Sequence, residues 1–269
     1  MRTGIILGLL FVAGSSLADN CREDVCVSAI DQDGAIELRA RNNRNHPITY
    51  TLRVSSDDSS DPQTVTRTLQ ALASESAITL TLGGSRDLDF DYSYEWTVGD
   101  KNAQHDDDYL YALPYASGQS YRVLQGYGSR FSHTGQEAYA VDFDMREGTP
   151  VHAARAGVVA RVEESHSRSC WADGCGKFAN YIVILHSDGT TGEYYHLEKN
   201  GSVVTVGETV ERGQKIGYSG NTGHSTMPHL HFGVYRASRL GASQSIPVRF
   251  LSAHGEITKP RRGRRYEAN

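Results

Sequence analysis

PHLHFGVY, residues 228–235, reads as a β-strand and places chemistry on it. Side chains two apart on a strand share a face, so Leu230, Phe232 and Val234 form an apolar side while His229 and His231 stand together on the other. Two unrelated strand histidines would give the same pattern, so the neighbouring segments decide its meaning. AYAVDFDM (138–145) alternates likewise: Tyr139, Val141, Phe143 and Met145 are the apolar face, and Asp142 lies opposite, between the small Ala138 and Ala140. Just upstream, GSRFSHTGQ (128–136) carries His133 in a polar loop flanked by glycine. EYYHL (193–197) places His196 on the face opposite Tyr195 and Leu197. Neutral imidazoles with a carboxylate are a ligand set of catalytic zinc, where three protein groups leave a position for water.

Outward from these strands, glycine is frequent between Tyr115 and Leu251 and long helical periodicity is absent, which predicts a β-rich domain with tight turns over 115–255. The earlier part repeats the period of two in Ile36 and Leu38, in Ile48, Tyr50, Leu52 and Val54, in Ile78, Leu80 and Leu82, and from Phe90 to Val98. Turn-rich breaks, SSDDSSDP (55–62) and GGSRD (83–87), separate these runs, so residues 19–99 are expected to form a small β-sandwich-like domain. The fold class is therefore all-β in both halves. DKNAQHDDDYLYALP (100–114) reads as a linker that docks on the second domain, and 256–269, with KPRRGRRYEAN and no apolar face, as a basic disordered tail.

The chain has 269 residues, 38% hydrophobic and 22% charged, with 27 Lys+Arg against 32 Asp+Glu and a net charge of −5. This composition excludes overall disorder and a chain-wide positive field of the kind that holds nucleic acid. MRTGIILGLLFVAGSSLA (1–18) has a basic start, an apolar run from Ile5 to Ala13 and a small-residue end, the form of a secretory signal cut after Ala18. The run is too short for a spanning helix, so an exported chain with no stable membrane insertion is expected, in periplasm or medium. Cys21/Cys26 and Cys170/Cys175 are two close sequence pairs; in an exported chain local disulfides are the default reading, although four cysteines permit three connectivities. No coiled-coil or helical interface is apparent, and a monomer is expected.

Three segments, FSHTGQEAYAVDFDMREGTPVHAARAGVV (131–159), NYIVILHSDGTTGEYYHL (180–197) and GETVERGQKIGYSGNTGHSTMPHLHFGVY (207–235), resemble the lysostaphin-type, or β-lytic, zinc metallopeptidases, which cut peptide bonds in bacterial cell walls. The resemblance covers roughly residues 120–236 in unbroken order. It implies a groove across an antiparallel sheet with one Zn2+ at its floor. His133, Asp142 and His231 match the zinc ligands. His196 and His229 match the catalytic pair, one helping to deprotonate the zinc-activated water, the other stabilising the oxyanion or protonating the leaving amine. The chain has no H-E-x-x-H motif, so a base must come from such histidines, whose ordinary pKa suits the task.

Some positions depart from the family pattern. Eight residues separate His133 from Asp142 where three are commonest, Met227 stands where glycine is frequent, and ESHSRSCWADGCGKF (164–178) is an insertion-like loop whose Trp171 is a candidate for stacking on substrate. His46, His105, His152, His166, His186, His224 and His254 lack a matching partner and are not expected to ligate metal, with His224 nearest the motif and a candidate for a supporting role. The implied activity is an exported zinc endopeptidase acting on peptidoglycan peptides, at stem-peptide crosslinks or bridges. The alternatives are an inactive wall-binding regulator of other hydrolases and a secreted peptidase for another protein substrate.

Overall fold

The computed structural model describes residues 19–32, 34–57, 59–81, 89–238 and 242–269. The secretory-signal segment and the GGSRD break lie outside them. The chain divides into two compact units, one running to Asn102 and taking in Ala237–Ala242 as well, the other comprising Ala103–Arg236 and Ser243–Asn269. Among the described residues no helix is long and apolar enough to cross a membrane.

The first unit holds β1 (Asn20–Arg22), β2 (Val25–Gln32), β3 (Ala35–Asn42), β4 (Ile48–Ser56), β5 (Ser59–Leu69), β6 (Ser74–Thr81) and β7 (Phe90–Val98). They form two sheets, of order β1-β2-β3-β6 and β5-β4-β7. Alternation sends Val25, Val27, Ile36 and Leu38 from the first sheet and Ile48, Tyr50, Leu52 and Tyr94 from the second into one shared buried cluster. Cys21 and Cys26 are bonded to each other.

The second unit contains β8 (Leu110–Ala112), β9 (Ser120–Gln125), β10 (Val141–Phe143), β11 (Gly157–Glu163), β12 (Tyr181–Leu185), β13 (Thr191–Tyr195), β14 (Thr209–Val210), β15 (Leu230–Ala237), β16 (Arg249–Ser252) and β17 (Arg265–Glu267). Its central sheet runs β14-β11-β12-β13-β15-β10-β9-β17, with Ser243–Ser245 pairing onto β15. Neighbours along that order are antiparallel. One face carries Val141, Phe143, Ile182, Ile184, Tyr194, Leu230, Phe232 and Val234, all at most 1% exposed. Burying each large side chain there stabilises the fold by about 1.5–3 kcal/mol, which fixes the register and commits the opposite face to Asp142, Glu193, Tyr195 and His231.

Three local expectations change. Residues 256–269 are not a disordered tail: Arg265–Glu267 pairs with β9, Tyr115 Oη donates to Tyr266 O at 2.7 Å, and Ala268 is 5% exposed. The arginines suggested a solvated tail, yet an edge strand needs only its inward side chains apolar, and Tyr266 and Ala268 supply them. The end of the 100–114 linker is also strand, with β8 running parallel to β16 and Tyr111 fully buried, its hydroxyl taking a 3.0 Å hydrogen bond from Arg155. The strand expected over 138–145 covers only Val141–Phe143, because a 3-10 turn at Gly135–Glu137 occupies the approach; Tyr139 is 39% exposed and leaves the apolar face.

Candidate metal centre and active site

Strand pairing brings distant donors together. Asp142 is directly opposite His231 across β10 and β15, and His231 is directly opposite Tyr195 across β15 and β13. Directly paired residues project to the same face, so both donors rise from the side away from the core. His133 arrives differently, from the loop after β9, and is 1% exposed. Its Nε2 lies 3.1 Å from Asp142 Oδ1, and His231 Nδ1 lies 2.9 Å from the same oxygen. One donor atom each from His133, Asp142 and His231 falls within 4.8 Å of the others. Among the described residues the other grouping of this kind, Asp19 with Cys21 and Cys26, has its sulfurs in a disulfide.

The donor set fits zinc. Each imidazole has an acceptor beside its far nitrogen: Gly126 O is 3.4 Å from His133 Nδ1, and Tyr235 Oη and Glu137 Oε2 are 3.1 and 3.4 Å from His231 Nε2. A proton held at the far nitrogen leaves a lone pair on the near one, the tautomer that binds a metal. Asp142 is ready as a carboxylate. Burial works to raise its pKa, but hydrogen bonds from His133 and His231 hold it well below the usual range, and Gln125 Nε2 donates to its other oxygen at 2.6 Å. His231 moves the opposite way: burial works against its charge, yet Asp142 and Glu137 raise it to about 10. Metal entering the metal-free chain therefore displaces a proton from His231.

His196 and His229 stand beside this group, their ring centroids 4.6 Å apart. His196 Nδ1 donates to Thr222 O at 2.7 Å and His229 Nδ1 to Met227 O at 2.8 Å, which leaves each Nε2 as a basic lone pair. Burial, then the neighbouring imidazoles, push His196 down to about 3; burial also lowers His229. Both rings are thus neutral near pH 7. The sequence reading put His196 on the face opposite Tyr195, and here the structure differs. β13 ends at Tyr195, and His196 has φ +65°, so strand alternation stops one residue early. The left-handed backbone brings both rings to the same side, with Tyr195 and His196 each 6.0 Å from the His231 ring. Such a conformation costs of order 1–3 kcal/mol for a residue other than glycine, and surrounding hydrogen bonds hold it in place.

Much of that support comes from residues without a sequence motif. Asn180, fully buried, donates through Nδ2 to His166 O, Glu198 O and Leu197 O at 2.8, 3.1 and 3.3 Å, and accepts from His166 N at 3.0 Å. Thr222 Oγ1 donates to Leu197 O at 2.7 Å. Together they clamp the chain just after His196. Sequence reasoning missed Gln125, Glu137, Asn180, Thr222 and Tyr235. Tyr235 had a usable signal, since it shares the period-two face of His229 and His231.

Loops shape the surroundings. Cys170 and Cys175 are bonded, and Ser169–Cys170 pairs in parallel with Gly223–His224. Trp171 is 51% exposed, with Phe131 stacked at 5.2 Å and the His224 ring at 4.1 Å. His224 therefore rests on Trp171 and outside the ligand group. The other histidines set aside above also lie outside that group.

Residues 136–244 match the family described as Peptidase family M23. That span includes Asp142, His196, His229 and His231, and begins just after His133. Lysostaphin of Staphylococcus simulans is 36% identical over 138 residues, 51% of this chain and 26% of the relative. The peptidoglycan DD-endopeptidase ShyA of Vibrio cholerae is 35% identical over 122 residues, 44% of this chain and 26% of the relative. The chain thus spans about a quarter of the length of these curated relatives. A solved structure of the antimicrobial peptidase lysostaphin from Staphylococcus simulans aligns with TM-score 0.35 and 35% identity, covering 46% of this chain and 47% of that one. Residues 136–244 are thus similar to Peptidase family M23, and the chain is similar to its lysostaphin-type relatives over about half of its length.

Proposed function

We propose that the chain is an exported zinc-dependent endopeptidase that hydrolyses peptide bonds in bacterial peptidoglycan. The observation that carries this reading is the convergence of His133, Asp142 and His231 within 4.8 Å, beside a pair of neutral imidazoles with ring centroids 4.6 Å apart. When bound, zinc would supply Lewis acidity, polarising a carbonyl and acidifying water. His133 Nε2, Asp142 Oδ1 and His231 Nδ1 are the atoms that would hold it. Proton transfer falls to the Nε2 atoms of His196 and His229. One accepts the proton from the attacking water and, then protonated at Nε2, passes it to the leaving amine; the other, a second acceptor at Nε2, orients the water through its remaining O–H. Their lowered pKa values keep both in the base form, and the carbonyls of Thr222 and Met227 keep each Nε2 free for that exchange.

Export is supported by the signal-like first 18 residues and by the two disulfides, which persist in oxidising compartments. A complete set of candidate ligands and bases favours an active enzyme over an inactive regulator. Peptidoglycan as substrate is supported by the relatives, one of them a peptidoglycan DD-endopeptidase. Purified sacculi incubated with the zinc-loaded chain and analysed by mass spectrometry should lose crosslinked muropeptides, stop doing so with chelator and resume on zinc repletion. Intact crosslinks despite stoichiometric zinc would overturn the reading.

A further inference from the structure

We propose that Glu137 and Tyr235 are positioning residues that hold His231 with its proton on Nε2 and its Nδ1 aimed at the metal position, and that the long spacer between His133 and Asp142 exists in part to deliver Glu137. The inference rests on the metal-site reading above and names what orients one of its ligands. The juxtaposition is direct: His231 Nε2 is 3.1 Å from Tyr235 Oη and 3.4 Å from Glu137 Oε2, and Tyr235 Oη is 2.5 Å from the same Glu137 oxygen. A phenol has one proton to give, and a carboxylate has none. Tyr235 therefore donates to Glu137 and accepts from His231, and Glu137 accepts from both. Only a proton on His231 Nε2 satisfies this triangle. The ring is then fixed against a half-turn, since a flip would set a carbon beside Asp142 Oδ1, now 2.9 Å from Nδ1.

Each partner reaches its place by an identifiable device. Tyr235 lies four residues beyond His231 on the same strand face, and the residue between them on that face is Gly233. A Cβ at Gly233 would stand 2.6–2.8 Å from Tyr235 Cε2, Cζ and Oη, so the ring lies back along the strand over a position that only glycine leaves open. The ring is held there, with Tyr235 2% exposed. Glu137 ends the 3-10 turn Gly135–Glu137 inside the His133–Asp142 spacer. That turn is closed by Glu137 N donating to Thr134 O at 3.1 Å and fastened from outside by Gln244 Nε2 donating to Gly135 O at 3.1 Å. Tyr139 N bonds Ser245 Oγ at 2.9 Å, tying the rest of the spacer to the strand paired with β15. A three-residue spacer has no room for such a turn.

Partners of this kind shift metal affinity by about 10–100-fold. Glu137 has a side chain 44% exposed, so the lower end applies. Glu137→Ala in the full chain should weaken zinc binding about tenfold in a competitive chelator titration, and Tyr235→Phe by less, because Glu137 remains as acceptor. The double variant should bind more weakly than either single one, because it leaves the His231 Nε2–H with neither acceptor. Glu137→Gln, whose carbonyl oxygen can still accept, should recover part of the loss. The 15N spectrum of the zinc-loaded chain, labelled at histidine, should show His231 protonated at Nε2, and Glu137→Ala should broaden or shift that signal while thermal stability stays near wild type. Unchanged zinc affinity in Glu137→Ala and Glu137→Gln, or a His231 signal protonated at Nδ1, would overturn the proposal. Failure of the metal-site reading looks different: His231→Ala would then bind zinc as tightly as wild type.

Discussion

His186 should limit the acid stability of the second unit. It is 3% exposed, donates from Nδ1 to Ala156 O at 2.9 Å, and has no hydrogen-bond partner at Nε2 among the described residues. The backbone of Gly192 closes over that nitrogen, since a Cβ there would stand 2.9 Å from it. A proton added to Nε2 would be buried without an acceptor. Burial first, then the Arg155 cation and His105, push His186 down to about 4 from 6.5, while the Ala156 carbonyl and Asp188 work the other way without prevailing. The sign follows from which state takes up the proton. Between pH 6.5 and 4 the unfolded chain protonates His186 and the folded chain does not, so its contribution is complete above 6.5 and falls as pH drops toward 4. At about 1.4 kcal/mol per pKa unit, this amounts to about 3 kcal/mol lost by pH 4.

The test needs a difference, because other groups titrate in the same range. His186→Asn retains a donor for Ala156 O and removes the titration. Urea unfolding of the zinc-free chain and of this variant, from pH 7.5 to 4, would be followed in Tyr181–Leu185 and Thr191–Tyr195 by pulsed hydrogen exchange. The stability advantage of the wild type over the variant should shrink by about 3 kcal/mol on acidification. Parallel curves would refute the claim that a buried neutral imidazole lacks an acceptor.

Three further outcomes follow from the site. His196→Ala should keep stoichiometric zinc by elemental analysis and lower kcat by about 10²–10⁴-fold in muropeptide release, the usual share of a general acid or base; loss of zinc would make His196 a ligand. Gly220→Ala should destabilise the second unit by about 3 kcal/mol in urea titration, the upper end of overpacking effects, because its Cβ would stand 2.4–2.7 Å from the backbone of Leu197 and Glu198; an unchanged midpoint would contradict the close approach. Asn180→Ala removes four hydrogen bonds, one buried and three part-buried, worth about 1 kcal/mol each net, so a loss of roughly 3–4 kcal/mol is expected, with kcat falling further than zinc affinity because the clamp holds the residues that follow His196.

What the sequence made legible follows from how each feature is encoded. Leu230, Phe232 and Val234 are apolar at every second position, and that local rule both names the strand and sends His229 and His231 to the other face. Asp142 is legible for the same reason. His196 sits where the rule stops: φ +65° at one residue reverses a side chain, and nothing in EYYHL distinguishes that from one more step of strand. The tail misread was compositional, since arginine-rich segments are usually solvated, whereas pairing with β9 asks only for Tyr266 and Ala268 on the inner side.

Glu137 was illegible for a deeper reason. Its partner His231 is 94 residues away in sequence, and the contact exists only after β10 has docked on β15 and the turn has been fastened by Gln244. Pairing across β10 and β15 sets Asp142 against His231 through backbone hydrogen bonds, which are indifferent to side-chain identity. The orientation of the His231 ring is a separate degree of freedom that the backbone leaves open. Side chains outside the ligand set must therefore close it. The fold supplies them from two segments beside the ring: the rest of its own strand, through Gly233 and Tyr235, and the spacer between the other two ligands, through Glu137. A lengthened spacer is then expected to be tolerated, and retained, where its turn returns an acceptor to the His231 ring.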